Sequence, residues 1–314
     1  MSNIYKRLNY NLIVIMGLLA FLDTRGFTKS STLVDFDEGM DKDNPYYYSQ
    51  GLYQRVYISS DESEEKKIIS FLRNLYNKNK CIHEKPHSLL KIPRIIHQIW
   101  LGSPFPEKFK AYQQKLIELH PEWEYKLWTD ERVKNLKLVN QEAFNKARNY
   151  GEKSDILRYE LLERMGGVYI DVDHIFYTVL DSLHYCYDFY AGIHPLDAGF
   201  PYVNNAIIGA VPGHPIMKYC IESIKNKAIK GDIVNRTGPG VFTKAILEKA
   251  YEADLINIVL PSTFFSALGY NYQIKNEDEL EKIIKPYTFA VHFWAGTWFG
   301  GRKDSFCNKP VAKS

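Results

Sequence analysis

The stretch from Ser154 to Asp173 constrains the fold of this chain more than any other. An amphipathic pattern that begins at Ser154 predicts a short helix, and Gly166 and Gly167 predict its end. An apolar strand is expected next, ending in Asp171 and Asp173, whose spacing of two turns both carboxylates to one face. An isolated Asp-x-Asp is typical of an exposed strand end. Two close carboxylates repel each other unless a cation lies between them, so the pair also predicts a site for a hard divalent ion.

Strand and helix patterns alternate through residues 91–303, which we interpret as one domain. Strands are predicted at 92–102, 123–128, 167–173, 189–193, 204–210 and 256–260. Helices are predicted at 107–120, 154–165, 216–227 and 241–251. This alternation predicts an α/β fold with a mainly parallel central sheet covered on both faces. Ligands of such sheets bind outside the carboxyl ends of the strands, which is where Asp171 and Asp173 are expected.

The N-terminus carries a short apolar run behind basic residues. Lys6 and Arg7 precede residues 12–22, a run shorter than the roughly 20 residues that a membrane-spanning helix needs. We therefore predict that residues 1–25 are a signal peptide, with a retained signal-anchor as the alternative because no Ala-x-Ala site follows. Either form predicts the secretory pathway or the cell envelope, and the anchor would add membrane association.

Two further segments are predicted outside the main domain. Residues 26–90 resemble a stalk or loosely packed leader, apart from a helix predicted around 61–80. Residues 304–314 are predicted to be a tail.

Composition limits the class of protein. A formal net charge of +3 gives no support for a nucleic-acid partner. The 23 Tyr, 17 Phe and 5 Trp indicate a core rich in aromatic residues, although the same side chains also bind flat ligands well. The four cysteines, Cys81, Cys186, Cys220 and Cys307, match no zinc spacing. One or two disulfides could form in an oxidising compartment, with pairing that the sequence does not determine.

Asp155 and Arg158 lie three residues apart near the start of the predicted helix and so share a face. The ordinary interpretation of such a pair is a solvated ion pair worth a few tenths of a kcal/mol. The strand after Gly167 runs back along this helix, however, and would bring the pair to the pocket that holds Asp171. There an arginine fork binds phosphate or sugar hydroxyls, and a carboxylate accepts hydrogen bonds from hydroxyls.

Four segments together resemble the family 32 glycosyltransferases with the DXD sugar-binding motif, a group that includes fungal α-1,6-mannosyltransferases and mannosyl inositol phosphorylceramide synthases. The segments are Ile-Pro-Arg-Ile-Ile-His-Gln-Ile-Trp at 92–100, Ser-Asp-Ile-Leu-Arg-Tyr-Glu-Leu-Leu at 154–162, Gly-Gly-Val-Tyr-Ile-Asp-Val-Asp at 166–173 and His-Phe-Trp-Ala-Gly-Thr-Trp at 292–298. The resemblance spans about residues 91–300. It implies a GT-A fold, which is Rossmann-like, with a helical N-terminal extension in this chain. It also implies a nucleotide-sugar donor, a Mn²⁺ or Mg²⁺ cofactor and transfer with retention of anomeric configuration.

The same resemblance assigns roles to individual residues. The implied metal ligands are Asp171, Asp173 and His292. The implied donor-binding residues are His97, Trp100, Asp155, Arg158, Asp171, Asn205 and Trp298, with Asn204 beside them. The implied catalytic residues are Asp155, Arg158 and Asp171. These roles have structural alternatives: His97 and Trp100 could belong to the core, and His292 could order a loop. For Trp294 a position in the core is the preferred interpretation.

The implied reaction moves a hexose from a nucleotide-sugar to a glycan or glycolipid acceptor. The predicted export signal favours mannose from GDP-mannose, and a UDP-glucose or other UDP-sugar transferase acting on protein or capsule is the alternative. Two other classes remain open, a metal-dependent phosphohydrolase using the same aspartates and a carbohydrate-binding protein without catalysis. The lack of a further His/Asp cluster in the sequence counts against the first, since two-metal phosphatases need one.

Overall fold

The computed structural model describes residues 33–80, 89–252, 254–272 and 277–296. The predicted signal segment at 1–25, the predicted tail at 304–314, Trp298, Cys81 and Cys307 lie outside these residues. Within the described ranges, no helix combines the length and the apolar character needed to cross a bilayer.

The described chain alternates helices and strands from residue 95 onward, as the sequence predicts. The helices are α1 (Phe36–Gly39), α2 (Gly51–Tyr53), α3 (Glu64–Asn79), α4 (Glu107–Leu119), α5 (Asp130–Val133), α6 (Gln141–Lys146), α7 (Tyr150–Met165), α8 (Asp181–Cys186), α9 (Pro215–Lys225), α10 (Ile233–Arg236), α11 (Pro239–Lys249) and α12 (Glu277–Ile283). The strands are β1 (Ile95–Ile99), β2 (Glu124–Trp128), β3 (Gly167–Ile170), β4 (His174–Phe176), β5 (Phe189–Ile193), β6 (Val203–Ala210), β7 (Asn257–Leu260) and β8 (Ala290–His292).

The strands form a six-stranded sheet in the order β2-β1-β3-β6-β5-β7 and a two-stranded sheet of β4 and β8. β1 pairs in parallel with β2 and β3, and β5 pairs in parallel with β7, whereas β6 is antiparallel to β3 and β5. Every strand but β6 therefore points the same way in the large sheet, which confirms the predicted α/β fold with a mainly parallel sheet. β3 and β6 are buried along their whole length, as expected for strands covered on both faces.

One edge of this sheet collects the candidate site residues. Trp100 follows the end of β1, Asp171 follows the end of β3, and His194 follows the end of β5. Because β6 runs in the opposite direction, its beginning, with Asn204 and Asn205, lies at the same edge. The carboxyl ends of the parallel strands lie at this edge. Because β6 is antiparallel to its neighbours, its first residues lie there too and contribute two side-chain amides.

The helix before the Asp-Val-Asp sequence begins earlier than the sequence predicts. Asn149 is its N-cap, with a side-chain oxygen that accepts from the Glu152 amide, and Ser154 lies inside α7 rather than capping it. Asn149 is the cap because its side chain accepts a hydrogen bond from the backbone N–H three residues later, which has no partner within the helix. The predicted end is confirmed: Gly166 terminates α7 with φ 61°, a conformation that favours glycine.

The predicted strand is also shorter than expected. β3 ends at Ile170, and residues 171–173 form a turn that leads into β4. The backbone N–H of Asp171 still donates to the Ala206 carbonyl at 2.8 Å, so the turn stays fixed to β6. The two carboxylates therefore reach one pocket through a turn and not through strand alternation.

The N-terminal extension packs on the domain, in contrast to the stalk or loosely packed leader expected for residues 26–60. Phe36, Met40 and Tyr47 are almost completely buried and belong to the same hydrophobic cluster as the sheet. The predicted helix around 61–80 is confirmed as α3, capped by Ser63 and docked on β7 by a 2.6 Å bond from Asn79 to the Asn257 carbonyl. The burial of aromatic side chains such as Phe36 and Tyr47 overrides the polar composition of this stretch. The predicted outer boundaries of the domain stay predictions.

Candidate functional site

A cavity of about 680 Å³ opens at the sheet edge described above. Among its lining residues are Trp100 from the end of β1, Asp171 and Asp173 from the turn after β3, and His292 from β8. Residues that are distant in sequence thus share one concave pocket, which is the usual form of a small-molecule site.

Arg158 is the centre of a buried polar network on the floor of the cavity. Its guanidinium lies 3.1 Å from Asp155 Oδ1 and 3.6 Å from Asp171 Oδ1, and it donates to the Asn205 carbonyl at 2.5 Å. The same group lies 4.3 Å from the centre of the Tyr169 ring. Asp155 also accepts from the Asn205 amide at 2.8 Å. Asp155 and Arg158 are 3% and 5% exposed, and α7 carries them on a face that points into the domain. They form a buried pair at the pocket of Asp171, as expected, and not the solvated ion pair that was the alternative.

Burial makes this network electrostatically costly. Burial raises the pKa of Asp155 to about 6, although Arg158 and the Asn205 amide act in the opposite direction. Burial likewise raises the pKa of Asp171, against the lowering effect of Arg158. Burial disfavours the charge of Arg158 itself, but Tyr169, Asp155 and Asp171 together raise its pKa. Carboxylates held at such a cost in a pocket are candidates for function, because a structural role could be filled by neutral side chains.

Asp173 and His292 form the second polar element of the cavity. His292 Nε2 lies 3.2 Å from Asp173 Oδ1, and the Ala295 N–H donates to Asp173 Oδ2 at 2.7 Å. Burial opposes the ionisation of Asp173, but His292 and the Ala295 hydrogen bond hold its pKa below the usual range. Asp173 is therefore an anion at neutral pH and ties the segment after β8 to the turn after β3.

His174 is a site residue that the sequence reasoning missed. Its ring stacks on His292, with centroids 4.2 Å apart, and His292 lines the cavity in front of it. His174 Nδ1 lies 3.2 Å from the Asp171 carbonyl and donates to it, which leaves Nε2 as a buried atom with no hydrogen-bond partner among the described residues. One ligand atom each from Asp173, His174 and His292 lies within 4.8 Å of the others. The sequence signal that could have identified His174 is its position directly after the Asp-x-Asp motif.

Asp171 does not belong to that compact group of three. Its carboxylate faces Arg158 and accepts from the Tyr169 hydroxyl, and its side chain is 28% exposed in the cavity. The structure therefore brings all three predicted metal ligands, Asp171, Asp173 and His292, to one pocket but groups only the last two closely.

His97 is not brought to the cavity. Its ring is fully buried, with Nε2 2.9 Å from the Gly166 carbonyl and Nδ1 accepting from Trp128 Nε1 at 3.1 Å. Burial lowers its pKa to about 4, so it is a neutral core histidine. Its predicted role in donor binding is therefore corrected: with both nitrogens used inside the protein, it has none left for a ligand.

The other predicted donor-binding residues do line the cavity, apart from Trp298, which lies outside the described residues. Trp100, Asn204 and Asn205 are all lining residues, and Trp100 donates through Nε1 to Ser103 Oγ at 3.0 Å. Trp294 was predicted to fill the core; it is instead half-buried and also lines the cavity.

These features define an α/β domain with a mainly parallel sheet and an Asp-x-Asp turn in a cavity at the sheet edge. Residues 106–190 match the family described as "Glycosyltransferase sugar-binding region containing DXD motif". The matched part contains Asp155, Arg158, Asp171 and Asp173, and the resemblance to family 32 is confirmed for this region.

Sequence relatives point to the same group. The chain is 36% identical over 141 residues to inositol phosphoceramide mannosyltransferase 2 of Schizosaccharomyces pombe, covering 44% of this chain and 39% of that protein. It is 35% identical over 141 residues to mannosyl phosphorylinositol ceramide synthase SUR1 of Saccharomyces cerevisiae, covering 43% and 35%. The match thus spans less than two fifths of the length of these curated relatives. Among solved structures, the PaToxG glycosyltransferase aligns with a TM-score of 0.44 and 19% identity, over 62% of this chain and 79% of that chain.

Proposed function

We propose that this chain is a metal-dependent, retaining glycosyltransferase that moves a hexose from a nucleotide-sugar to a glycan or glycolipid acceptor. The observation that carries the proposal is the buried network of Asp155, Arg158, Asp171 and Asn205 beside the Asp173–His292 pair in one cavity. A sugar diphosphate needs a cluster of hydroxyl-binding groups next to a cation site, and the two groups of polar side chains that share this cavity support both roles.

The donor set fits a divalent cation. Asp173 offers a carboxylate and His292 an imidazole nitrogen, and Asp171 shares their cavity. Carboxylates suit Mg²⁺ and Mn²⁺, whereas imidazole favours later first-row ions, so the combination supports Mn²⁺ over Mg²⁺. Asp173 and His292 would hold the ion, and Asp171 is the third predicted ligand in the same cavity. When bound, the cation would neutralise the negative charge that develops on the leaving diphosphate.

The protein groups around the sugar would orient it and stabilise charge. The Arg158 guanidinium holds Asp155 and Asp171 in fixed positions, where their negative charge would favour the positive charge that develops on the sugar. We favour a same-face displacement in which the leaving phosphate takes the acceptor proton, since no described residue is singled out as a covalent nucleophile. Trp100, at the end of β1, would stack on the base of the donor nucleotide.

GDP-mannose is our proposed donor, and mannose is the sugar that would be transferred. The relatives are named inositol phosphoceramide mannosyltransferase and mannosyl phosphorylinositol ceramide synthase, which supports mannose as the transferred sugar and a glycolipid as the acceptor. A UDP-sugar is the second candidate. Location in the secretory pathway or cell envelope, with membrane association through residues 1–25, stays a prediction from the apolar run at 12–22.

A donor panel tests the proposal. Protein is incubated with GDP-mannose, UDP-glucose, UDP-galactose or the free nucleoside diphosphates, with Mn²⁺ or with EDTA, and released nucleotide is measured. We expect release from GDP-mannose that depends on Mn²⁺. Indifference to every nucleotide-sugar would refute the proposal, and hydrolysis of simple phosphate esters instead would indicate the phosphohydrolase. A glycosyl-enzyme adduct trapped during turnover would refute same-face displacement while leaving the transferase assignment intact.

A further inference from the structure

Five aromatic rings form a continuous surface on one side of the cavity, which we call the aromatic wall. The wall consists of His194, Phe200, Tyr202, Tyr270 and Trp294. All five line the cavity and are half-buried, unlike the core rings of this aromatic-rich chain. A half-buried ring that faces a cavity keeps a face available to a ligand.

The rings of the wall hold one another in place. Trp294 contacts Tyr270 and His194 edge to face, with centroids 5.2 and 5.4 Å apart, and His194 contacts Tyr202 at 6.2 Å. Phe200 lies 4.6 Å from Tyr202. Edge-to-face geometry is favoured for the first three pairs and holds those rings in place, and Phe200 packs on Tyr202 at an angle of 44°. The wall is therefore a preorganised surface rather than a set of separate side chains.

Backbone contacts fix the wall to the domain. Trp294 has φ 49°, a left-handed conformation that is rare for a bulky residue, and its Nε1 donates to the Leu268 carbonyl at 2.9 Å. The buried Asp197 carboxylate accepts from the backbone N–H groups of Tyr270 and Asn271 at 2.8 and 2.7 Å. Asp197 thus joins the loop after β5, which carries His194 and Phe200, to the loop that carries Tyr270. Unusual backbone that is held by several contacts is often found at binding sites.

The wall lies beside the predicted reaction centre. The Trp294 ring is 4.1 Å from the His292 ring, and His292 is 3.2 Å from Asp173. Trp100 packs instead with Phe109 and Val172, whereas Trp294 packs against a different set of buried residues that includes Leu268 and Val291. The Asp-Val-Asp turn lies between the ends of β1 and β6, so Trp100 and the wall border it from opposite strands of the sheet. A donor with its base on Trp100 would therefore leave the wall free for a second substrate.

We propose that the aromatic wall binds the acceptor and that its ligand there is a neutral sugar ring. This inference rests on the proposed transferase function and specifies the acceptor class. A sugar ring presents C–H groups that pack on aromatic faces and hydroxyls that bond to polar ring edges, such as those that His194 and Tyr202 contribute to the wall. An acyl chain would use the faces alone and could form no hydrogen bond with the polar edges of the wall.

Ligand-observed NMR tests the inference without turnover. Saturation transfer is measured to methyl α-mannoside, methyl β-glucoside and hexylphosphocholine, in the presence of GDP and Mn²⁺. We expect transfer to at least one methyl hexoside in the wild-type protein and a loss of at least about tenfold in affinity in Tyr270→Leu and Phe200→Leu. Tyr270→Phe keeps the ring and should bind within about twofold of wild type. Tyr251→Leu, which removes an exposed ring outside the cavity, is the matched control.

The outcomes separate this inference from the proposed function. GDP and Mn²⁺ affinity, measured by calorimetry on each variant, reports whether the site is folded. Unchanged hexoside binding in both leucine variants, or binding of hexylphosphocholine and of no hexoside, would overturn the wall as a sugar site even if the donor panel shows transfer. Hexoside binding that depends on Tyr270, in a protein that turns over no donor, would instead sustain the wall and refute the transferase.

Discussion

Replacement of Arg158 by methionine should destabilise this fold far more than an ordinary ion-pair mutation. Arg158 is 5% exposed and is the cationic partner of Asp155 and Asp171, at 3.1 and 3.6 Å. Removing one partner of a buried pair costs about 3 to 5 kcal/mol, because a carboxylate is left buried without a counter-charge. A domain stability of roughly 5 to 15 kcal/mol leaves room to measure that loss in a folded variant.

The pH dependence of this loss has a defined sign. Arg158 lowers the pKa of Asp155, which burial nevertheless raises to about 6, so its removal raises that pKa further. Between the folded pKa and the unfolded value of 3.8, the folded variant binds a proton that the unfolded chain does not. The stabilisation that results from binding this proton is present at low pH. It is lost as the pH rises through the pKa of Asp155 in the folded variant. The penalty of Arg158→Met should therefore shrink between pH 8 and pH 5, by at most about 1.4 kcal/mol per pH unit.

The assay is urea unfolding followed by tryptophan fluorescence at pH 8 and pH 5, with Arg236→Met as the control. Arg236 pairs with Glu152 at 3.1 Å but is 32% exposed, and Glu152 keeps a second partner in the Arg148 N–H. Its loss should cost about 1 kcal/mol or less. Equal destabilisation by the two variants at pH 8, or a penalty for Arg158→Met that grows toward pH 5, would refute the buried-network interpretation.

Three further predictions, one of them with a control variant, test the site and the fold. Asp173→Asn should preserve the circular dichroism spectrum but weaken Mn²⁺-dependent GDP binding at least about tenfold by calorimetry, and unchanged affinity would exclude the metal role. Gly167→Ala should cost about 3 kcal/mol or more in urea unfolding, because φ is 93° and the new Cβ would lie 2.5 Å from the Ile95 carbonyl. Gly199→Ala, with nothing within 4 Å, should change stability by less than about 0.5 kcal/mol, and equal costs would contradict this reasoning. Leu72→Ala in α3 should lower the stability of the whole domain by about 2 to 5 kcal/mol. A separate transition for the extension would show that it folds independently.

Local sequence patterns predicted most elements of the domain, and they failed where a distant contact decided the outcome. Both ends of β5 were predicted correctly at Phe189–Ile193, because a short apolar run between turn signals is typical of a buried strand. The packing of residues 33–60 was not predicted, since their polar composition conceals the few rings that the domain buries. The resemblance of four short segments supplied the residue roles, and spacing alone would have supported only a cation near Asp171 and Asp173.

The sequence by itself determined the Asp-x-Asp motif, the helix that ends at Gly166 and the mainly parallel α/β sheet. These depend on periodicity, capping and glycine conformation, which act over a few residues. Only the tertiary structure decided that His97 is a core histidine, that His174 stacks behind His292, and that five rings from three separate segments face one cavity. The physical reason is that burial and partner atoms set the role of a polar or aromatic side chain, and both are supplied by strands that are distant in sequence.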